Sequence, residues 1–437
     1  MLGPAGLELD RTIEVAADGR IQSVGPAAGP PYDGFVALPG MPNAHSHAFQ
    51  RALAGRGEAA AGDDSFWSWR EAMYGLAEAL DPERLYDVAR YAYADMLRVG
   101  FTHVVEFHYL HHGVGGERGP EMTSAVIEAA RDVGLPLSLL PVYYRTSGFD
   151  GAPPTPRQAR FAHDSPDDFL ATVEALGRHA AGIAPHSLRA VPPADLAALV
   201  EGADALLGDD RPIHIHVSEQ EAEVDECRSR FGITPVDLLA DTVELGPRWH
   251  LVHATHATPD ERERIRGAGA GVVLCPLTEA YLGDGLFEAR EHRVAGGTAS
   301  VGTDANVRIG AIEELRMLEY GQRLRDRGRA RLGSARGLGA PLWSWLAEGG
   351  ALAAGAGSLI GRIAPGYRAD LVVLDEDAPA LRGHGPDTAV DAWLVGGDDR
   401  DIEAIYVGGR RRIERGHAHE EDEIGRRFAR TMRSLGG

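Results

Sequence analysis

The chain has 437 residues and a formal net charge of -21, an acidic balance that excludes the basic face needed by nucleic acid or an anionic membrane. All 44 basic residues are arginine, so Schiff-base lysines, a phosphate-loop lysine and a lysine carbamate bridging two metals are excluded, and an anionic small substrate must be met by local arginines. Two cysteines, Cys227 and Cys275, no apolar run near the roughly 18 residues of a membrane helix, and an opening MLGPAGLELD unlike a signal peptide together predict a cytoplasmic globular enzyme.

In chain order, residues 1–37 read as short β-like segments (RTIEVAADGRIQSVG), with GPPYDG at 29–34 as a Pro-rich loop. A run ending at His47 follows, then FTHVVEFHY (101–109), LPLSLLPVYY (135–144), AGIAPHSL (181–188), RPIHIHVSE (211–219), RWHLVHAT (248–255), AGVVLCPLTEA (270–280) and TASVGTDAN (298–306). Amphipathic helix patterns such as DPERLYDVARYAYADMLRVG and SPDDFLATVEALGRHA lie between them, each opening on a residue that suits a helix N-terminus. GAPPTPRQARF at 151–161 reads as another Pro-rich loop. Eight β-like runs separated by helices predict an α/β (β/α)8 TIM-like barrel over residues 38–357, the alternative being an open doubly wound sheet. GRIAPGYRADLVVLDEDAPAL and DIEAIYVGGRRRIERG near the C-terminus are again β-like. Neither chain end has enough apolar residues to stand alone, so residues 1–37 and 358–437 are expected to form one small β-sandwich domain. EEDEIGRRFARTMRSL near the C-terminus reads as an amphipathic helix whose face is expected to pack on the body, the alternative being a partner subunit.

The chemistry sits at the ends of these runs. Alternation along a strand turns His45 and His47 to one face with Ser46 opposite, and places His214 and His216 together on the fifth run. His216 is the nearer to the C-terminal end, Glu219 follows by three residues, His253 ends the sixth run and Asp304 the eighth. Active sites of such barrels collect at that rim. His45, His47, His216 and Asp304 are the expected ligands of one Zn²⁺-like ion, with Fe²⁺ or Mn²⁺ also chemically acceptable. An ion there lowers the pKa of a water to about 7 and so supplies hydroxide at neutral pH. Asp304 is placed to take a proton, His253 to stabilise developing charge and Glu219 to pass a proton to a leaving nitrogen, which is hydrolysis of a C–N bond. Glu106 could instead bridge a second ion, and Cys275 is either a buried filler or a thiolate ligand. His111, His112, His250 and His256 read as surface or supporting residues.

These residues resemble the amidohydrolase superfamily over essentially the whole chain. The H-x-H after Pro-Gly, the H-x-x-E, the histidine ending the sixth run and the GTD ending the eighth follow its deaminase branch, and GRIAPGYRADLVVLD is similar to its return to a small β-sandwich. Longer stretches, among them PGMPNAHSHAFQRALAG, SFWSWREAMY, EFHYLHH, LLPVYYRTSGFDG, APHSLRAV and CPLTEAYLGDGLF, resemble the formimidoylglutamate deiminases. That resemblance implies hydrolysis of a small dianionic substrate, N-formimino-L-glutamate, to N-formyl-L-glutamate and ammonia in histidine breakdown, by a homodimer. It also implies substrate contacts at Gln50, Arg70, Tyr109, His186 and Arg189. Two arginines suit two carboxylates, and they are the local correction that the acidic chain requires. The family's pattern departs at Tyr281 and over residues 305–308, which bears on substrate choice. Two other readings use the same residues: a purine or pterin ring aminohydrolase, with Tyr109, Trp67 and Trp69 as stacking groups, and a metal-free amidohydrolase scaffold serving assembly.

Overall fold

The computed structural model describes residues 1–29, 34–56, 66–418 and 420–436; the 30–33 part of the first Pro-rich loop and the Trp67 side chain lie outside what is described. Eight parallel strands occupy the predicted runs: Met41–Ser46, Phe101–His108, Leu137–Tyr143, Ala184–Pro185, Ile213–Val217, Trp249–His253, Gly271–Leu274 and Thr298–Val301. They form two four-stranded ladders, and the gaps between the ladders are closed by parallel bridges Ile183↔Ile213, Ser187↔His216 and Ser46↔Asp304. The sheet therefore curls into a barrel and the open-sheet alternative falls away. Its strands are apolar nearly throughout because helices cover the outer face and side chains fill the inner one; all eight residues of Phe101–His108 are buried.

Helix Pro82–Arg98 shows how the flanking elements are specified. Asp81 caps it by accepting from Arg84 N–H, Pro82 opens it, and Leu85, Val88, Ala89, Ala92, Tyr93 and Met96 bury one face. The C-terminal helix Glu421–Ser434 packs on this helix, as expected: Phe428 stacks on Tyr91 with centroids 4.0 Å apart, and Asp87 accepts from both Arg427 and Thr431.

The two chain ends meet. Strand Val36–Pro39 pairs antiparallel with Leu371–Leu374, which continues through Ile402–Val407 and Arg410–Glu414 in one sheet. Ile21, from the hairpin Arg11–Val15/Ile21–Pro26, is buried against Ile363, Ala369 and Leu371.

Three details correct the sequence reading. The run 270–280 is not one strand: pairing stops at Leu274, and helix Pro276–Leu282 begins because Pro276 has no N–H for a ladder. The fourth strand shrinks to Ala184–Pro185, with isolated bridges at Ile183 and Ser187 on either side of it. Between the C-terminal strands lies an unanticipated helix, Pro386–Gly396, whose Trp393 is fully buried.

Candidate functional site

Each predicted rim residue stands at or just beyond the C-terminal end of a barrel strand. Three of those strands end in the left-handed region, at Ser218 (φ 51°), His253 (φ 68°) and Asp304 (φ 46°). Non-glycine residues hold that conformation at a cost of about 1–3 kcal/mol only where their surroundings dictate it, and such strain collects at functional sites. Around Asp304 the surroundings are explicit. Asn43 donates to Thr303 Oγ1 and accepts from Thr303 N, while Asn306 donates to Ser46 Oγ and to the Asp304 carbonyl. Gly302 lets the eighth strand touch the first: a Cβ there would stand 2.6 Å from that of His45. Asn306 falls within the departing 305–308 stretch, and its role is to brace this turn.

The imidazoles converge. His45 Nε2 is 3.2 Å from His47 Nε2 and 3.1 Å from His216 Nε2, and Asp304 Oδ1 lies 3.5 and 3.3 Å from the first two. His47 Nδ1 donates to the Phe107 carbonyl and His216 Nδ1 to the His186 carbonyl, both at 2.9 Å. A carbonyl can only accept, so both Nε2 atoms present lone pairs to the centre. Burial holds all three rings below the usual histidine range, His45 at about 3, so they are neutral at pH 7. Against the same burial, bonds from His45 keep the Asp304 carboxyl ionised, its pKa below the usual range. Three ring nitrogens, two of them presenting lone pairs, and a carboxylate oxygen this close together suit a cation among them. Ligand distances of about 2.0–2.1 Å in a tetrahedron imply donor–donor edges of about 3.3 Å, which these spacings match. The three histidines form one donor cluster that fits a divalent metal ion, with Asp304 Oδ1 beside two of them; Asp304 also belongs to a second donor cluster with His253 and Cys275.

His253 stands beside this cluster, with Nε2 3.8 Å from both Asp304 Oδ2 and Glu219 Oε1 and Nδ1 3.4 Å from Glu279 Oε1. Burial opposes its charge, but Glu219, Glu279 and Asp304 outweigh it and raise the pKa to about 10. Burial raises Glu219, against the pull of His253 and Arg189. Glu223 accepts the backbone N–H groups of Ser218 and Glu219, which fixes the turn that presents Glu219.

One cavity, with about 580 Å³ of atom-free space, is lined by His47, His216, Glu219, His253 and Asp304 and equally by Gln50, Arg70, Tyr109, His186 and Arg189. Ten of the eleven predicted site residues thus share a wall, and His45 lies fully buried within the cluster behind it. Gln50 donates to Tyr109 OH at 2.6 Å and leaves its own Oε1 without a partner. Arg189 is buried, and its nearest carboxylates, Glu219 and Glu223, are each 3.9 Å away, too far to saturate the guanidinium. A larger cleft opens at the opposite end of the strands, lined by Glu201, Asp204, Asp210 and Arg248 among others, and brings no histidine together.

Other expectations resolve differently. Of the four read as surface or supporting, His111, His112 and His250 are buried among other imidazoles, with His111 and His112 bonded to the Val142 and Ala162 carbonyls, which makes them supporting, and His256 is half-buried. Glu106 is committed to Ala48 N–H at 2.7 Å and is absent from the donor clusters among the described residues. Cys275 is fully buried beside Val252 and Val273, and burial first, then neighbouring carboxylates, push its thiol up; its sulfur also lies within 4.8 Å of donor atoms of His253 and Asp304. Leu282, not Tyr281, lines the cavity. Tyr74, Tyr144, Met73 and Phe161 also line it and went unnoticed in the sequence, although Tyr74 follows Arg70 at the i,i+4 spacing that puts both on one helix face.

A barrel with convergent histidines and an aspartate at its C-terminal rim defines a metal-dependent hydrolase, and the chain belongs to the amidohydrolase family, whose profile matches residues 36–412. It is 41% identical to a formimidoylglutamate deiminase of Pseudomonas aeruginosa, the match covering 99% of this chain and 97% of that protein. An 8-oxoguanine deaminase of the same organism is 30% identical over 86% of this chain and 82% of its own length. In structure, an amidohydrolase from Brucella melitensis superposes with a TM-score of 0.92 at 40% identity, covering 100% of this chain and 98% of the other. A zinc-bound adenosine deaminase from Xanthomonas campestris shares the fold, with a TM-score of 0.80 at 23% identity over 99% and 95% of the two chains.

Proposed function

We propose that the protein hydrolyses N-formimino-L-glutamate to N-formyl-L-glutamate and ammonia. The observation that carries this reading is the shared cavity: a donor cluster fit for a metal, an acid–base pair and two arginines face one space. The formimidoylglutamate deiminase relative, aligned along nearly the whole of both chains, supports the same reading.

His45, His47, His216 and Asp304 would hold the ion, Zn²⁺ in this reading, with Fe²⁺ or Mn²⁺ able to serve. When bound, it supplies Lewis acidity toward a water and the substrate. The remaining work belongs to the chain. Arg70 and Arg189 hold the two carboxylates and so fix the formimino carbon near Asp304 and Glu219. Asp304 Oδ2, 3.8 Å from His253 Nε2, receives a proton as the water oxygen bonds to that carbon. His253, held cationic by its three carboxylates, stabilises the charge that develops. Glu219 takes one water proton and shuttles it to the departing nitrogen, and Asp304 then gives up the proton it received to the same nitrogen, which returns both groups to their starting states. The C=N bond is replaced by C=O; both water hydrogens end on the nitrogen, which leaves as ammonia, and the oxygen becomes the formyl oxygen.

The same reading makes the protein a cytoplasmic homodimer of histidine breakdown, with residues 38–357 as the catalytic barrel and both chain ends as the small domain. Among the described residues, no helix is long and apolar enough to cross a membrane.

The deciding assay supplies N-formimino-L-glutamate and scores ammonia against formamide, before and after chelation. Ammonia with N-formylglutamate, lost on chelation and restored by Zn²⁺, is the expected result. No ammonia from metal-replete protein overturns the substrate. Trp69 and Tyr109 line the cavity, so purines are the next candidates.

A further inference from the structure

Arg70 and Tyr74 lie one turn apart on helix Phe66–Ala79, Tyr144 follows the third barrel strand, and Gln158 ends the short turn Pro156–Gln158. Arg70, Tyr74 and Tyr144 line the cavity, and Gln158 is buried behind them at 1% exposure. The hydrogen bonds of Gln158 have a definite direction. Its Oε1 accepts Thr155 N–H at 2.8 Å, half of a reciprocal cap that fixes which way round the amide sits. Its NH2 therefore faces the phenols, donating to Tyr144 OH at 2.7 Å and Tyr74 OH at 3.0 Å. An amide nitrogen cannot accept, so neither phenol can give its proton to Gln158. Tyr74 OH also accepts Arg70 Nε–H at 2.7 Å. The two hydroxyls interact with each other, which occupies at most one of their protons. Among the described residues neither phenol donates to a carboxylate or a carbonyl, so at least one O–H is left for the cavity.

We propose that Tyr74 and Tyr144, their protons turned outward by Gln158, join Arg70 as a cradle for a carboxylate of the substrate. The proposal rests on the dianionic substrate argued above and adds what selects it. A guanidinium, joined by phenolic O–H groups that meet no carboxylate or carbonyl among the described residues, suits an anion, and the set gives a neutral ring little. Gln158 touches no substrate; it is a positioning residue acting through the two tyrosines. Arg157, on the same turn, pairs with Glu71 and Glu78, which ties Gln158 to the helix that carries Arg70.

The test uses the full-length, metal-loaded enzyme. Gln158→Glu keeps the acceptor for Thr155 N–H and the side-chain size but puts an acceptor where two donors stood, drawing the phenol protons inward. KM for N-formimino-L-glutamate is expected to rise at least about thirtyfold in Gln158→Glu and about tenfold in Tyr144→Phe, as loss of a hydrogen bond to a charged group requires. In both variants the loss should fall on KM rather than kcat. If Gln158→Glu does not fold, Tyr144→Phe decides alone; an unchanged KM, or a loss confined to kcat, overturns the cradle. Should the wild type release no ammonia from this amidine, the deimination reading fails separately. The cradle is then judged by glutarate: protection of the wild type against thermal unfolding that disappears in Tyr144→Phe upholds it, and equal protection or none overturns it.

Discussion

The fifth and sixth barrel strands each carry two histidines, and the two ends of those strands use them in opposite ways. On the barrel floor His214 and His250 are paired in register, their rings 4.9 Å apart, and His214 Nε2 donates to the Ala353 carbonyl at the end of helix Gly339–Ala353. Burial lowers the pKa of both, to about 4 for His214, so they are neutral props. At the rim, His216 turns a lone pair toward two other imidazoles, and His253 is ringed by three carboxylates that make it cationic. Residue type and strand are the same in both places. What separates a prop from a reactive group is the neighbour of the second ring nitrogen: His214 and His216 both give an N–H to a carbonyl, but His214 Nδ1 meets no hydrogen-bond partner among the described residues, while at the rim converging lone pairs call for a cation and carboxylates supply a charge.

The contrast predicts a hierarchy. His216→Ala should lose both bound metal and turnover, the latter by more than about 10³-fold, because it opens the donor cluster; retained zinc by metal analysis would remove His216 from it. Glu219→Gln should keep metal and substrate affinity yet lose about 10²–10⁴-fold in kcat, and a near-normal rate would take Glu219 out of proton transfer. Arg189→Ala should raise KM about ten- to a hundredfold with unchanged metal content, since it meets a carboxylate and not the ion.

The smallest effect belongs to the floor. His214→Gln should leave metal content and activity at pH 7.5 intact. Its signature lies in stability against pH. The folded pKa of His214, about 4, is depressed below the usual 6.5, so its contribution is fully present above pH 6.5 and is lost as pH falls toward 4. Denaturant titrations across that window should show a loss of about 3 kcal/mol assigned to this ring, absent in the variant. An equal acid loss in His214→Gln would place the titrating group elsewhere.

The site was legible in the sequence to the extent that strand periodicity and strand ends reveal it. His45, His47, His216, His253 and Asp304 occupy predictable places, because a barrel puts the last residues of every strand on one rim. Arg70, Arg189 and Gln50 came by resemblance, since a helix or loop arginine carries no local mark of its partner. Gln158, Glu223 and Glu279 escaped notice, being polar residues in turns and helix starts: Gln158 and Glu279 meet partners 84 and 26 residues away, and Glu223 bonds a nearby turn whose shape the sequence does not show. Pro276 was the missed signal in the seventh run, where apolar character continued past the point at which the backbone could no longer pair.

By itself, then, the sequence determined the alternation of strand and helix, the burial of the strands and the residue types delivered to the rim, because periodicity and capping are local. Only the tertiary structure decided which histidines face a cation and which prop the floor. It also decided that Asn43, Thr303 and Asn306 hold Asp304 in a strained turn and that Gln158 turns two phenols toward the cavity. Those outcomes depend on partners tens or hundreds of residues away, such as Asn43 and Thr303 at a separation of 260 residues, and a hydrogen bond's direction is set by both of its ends.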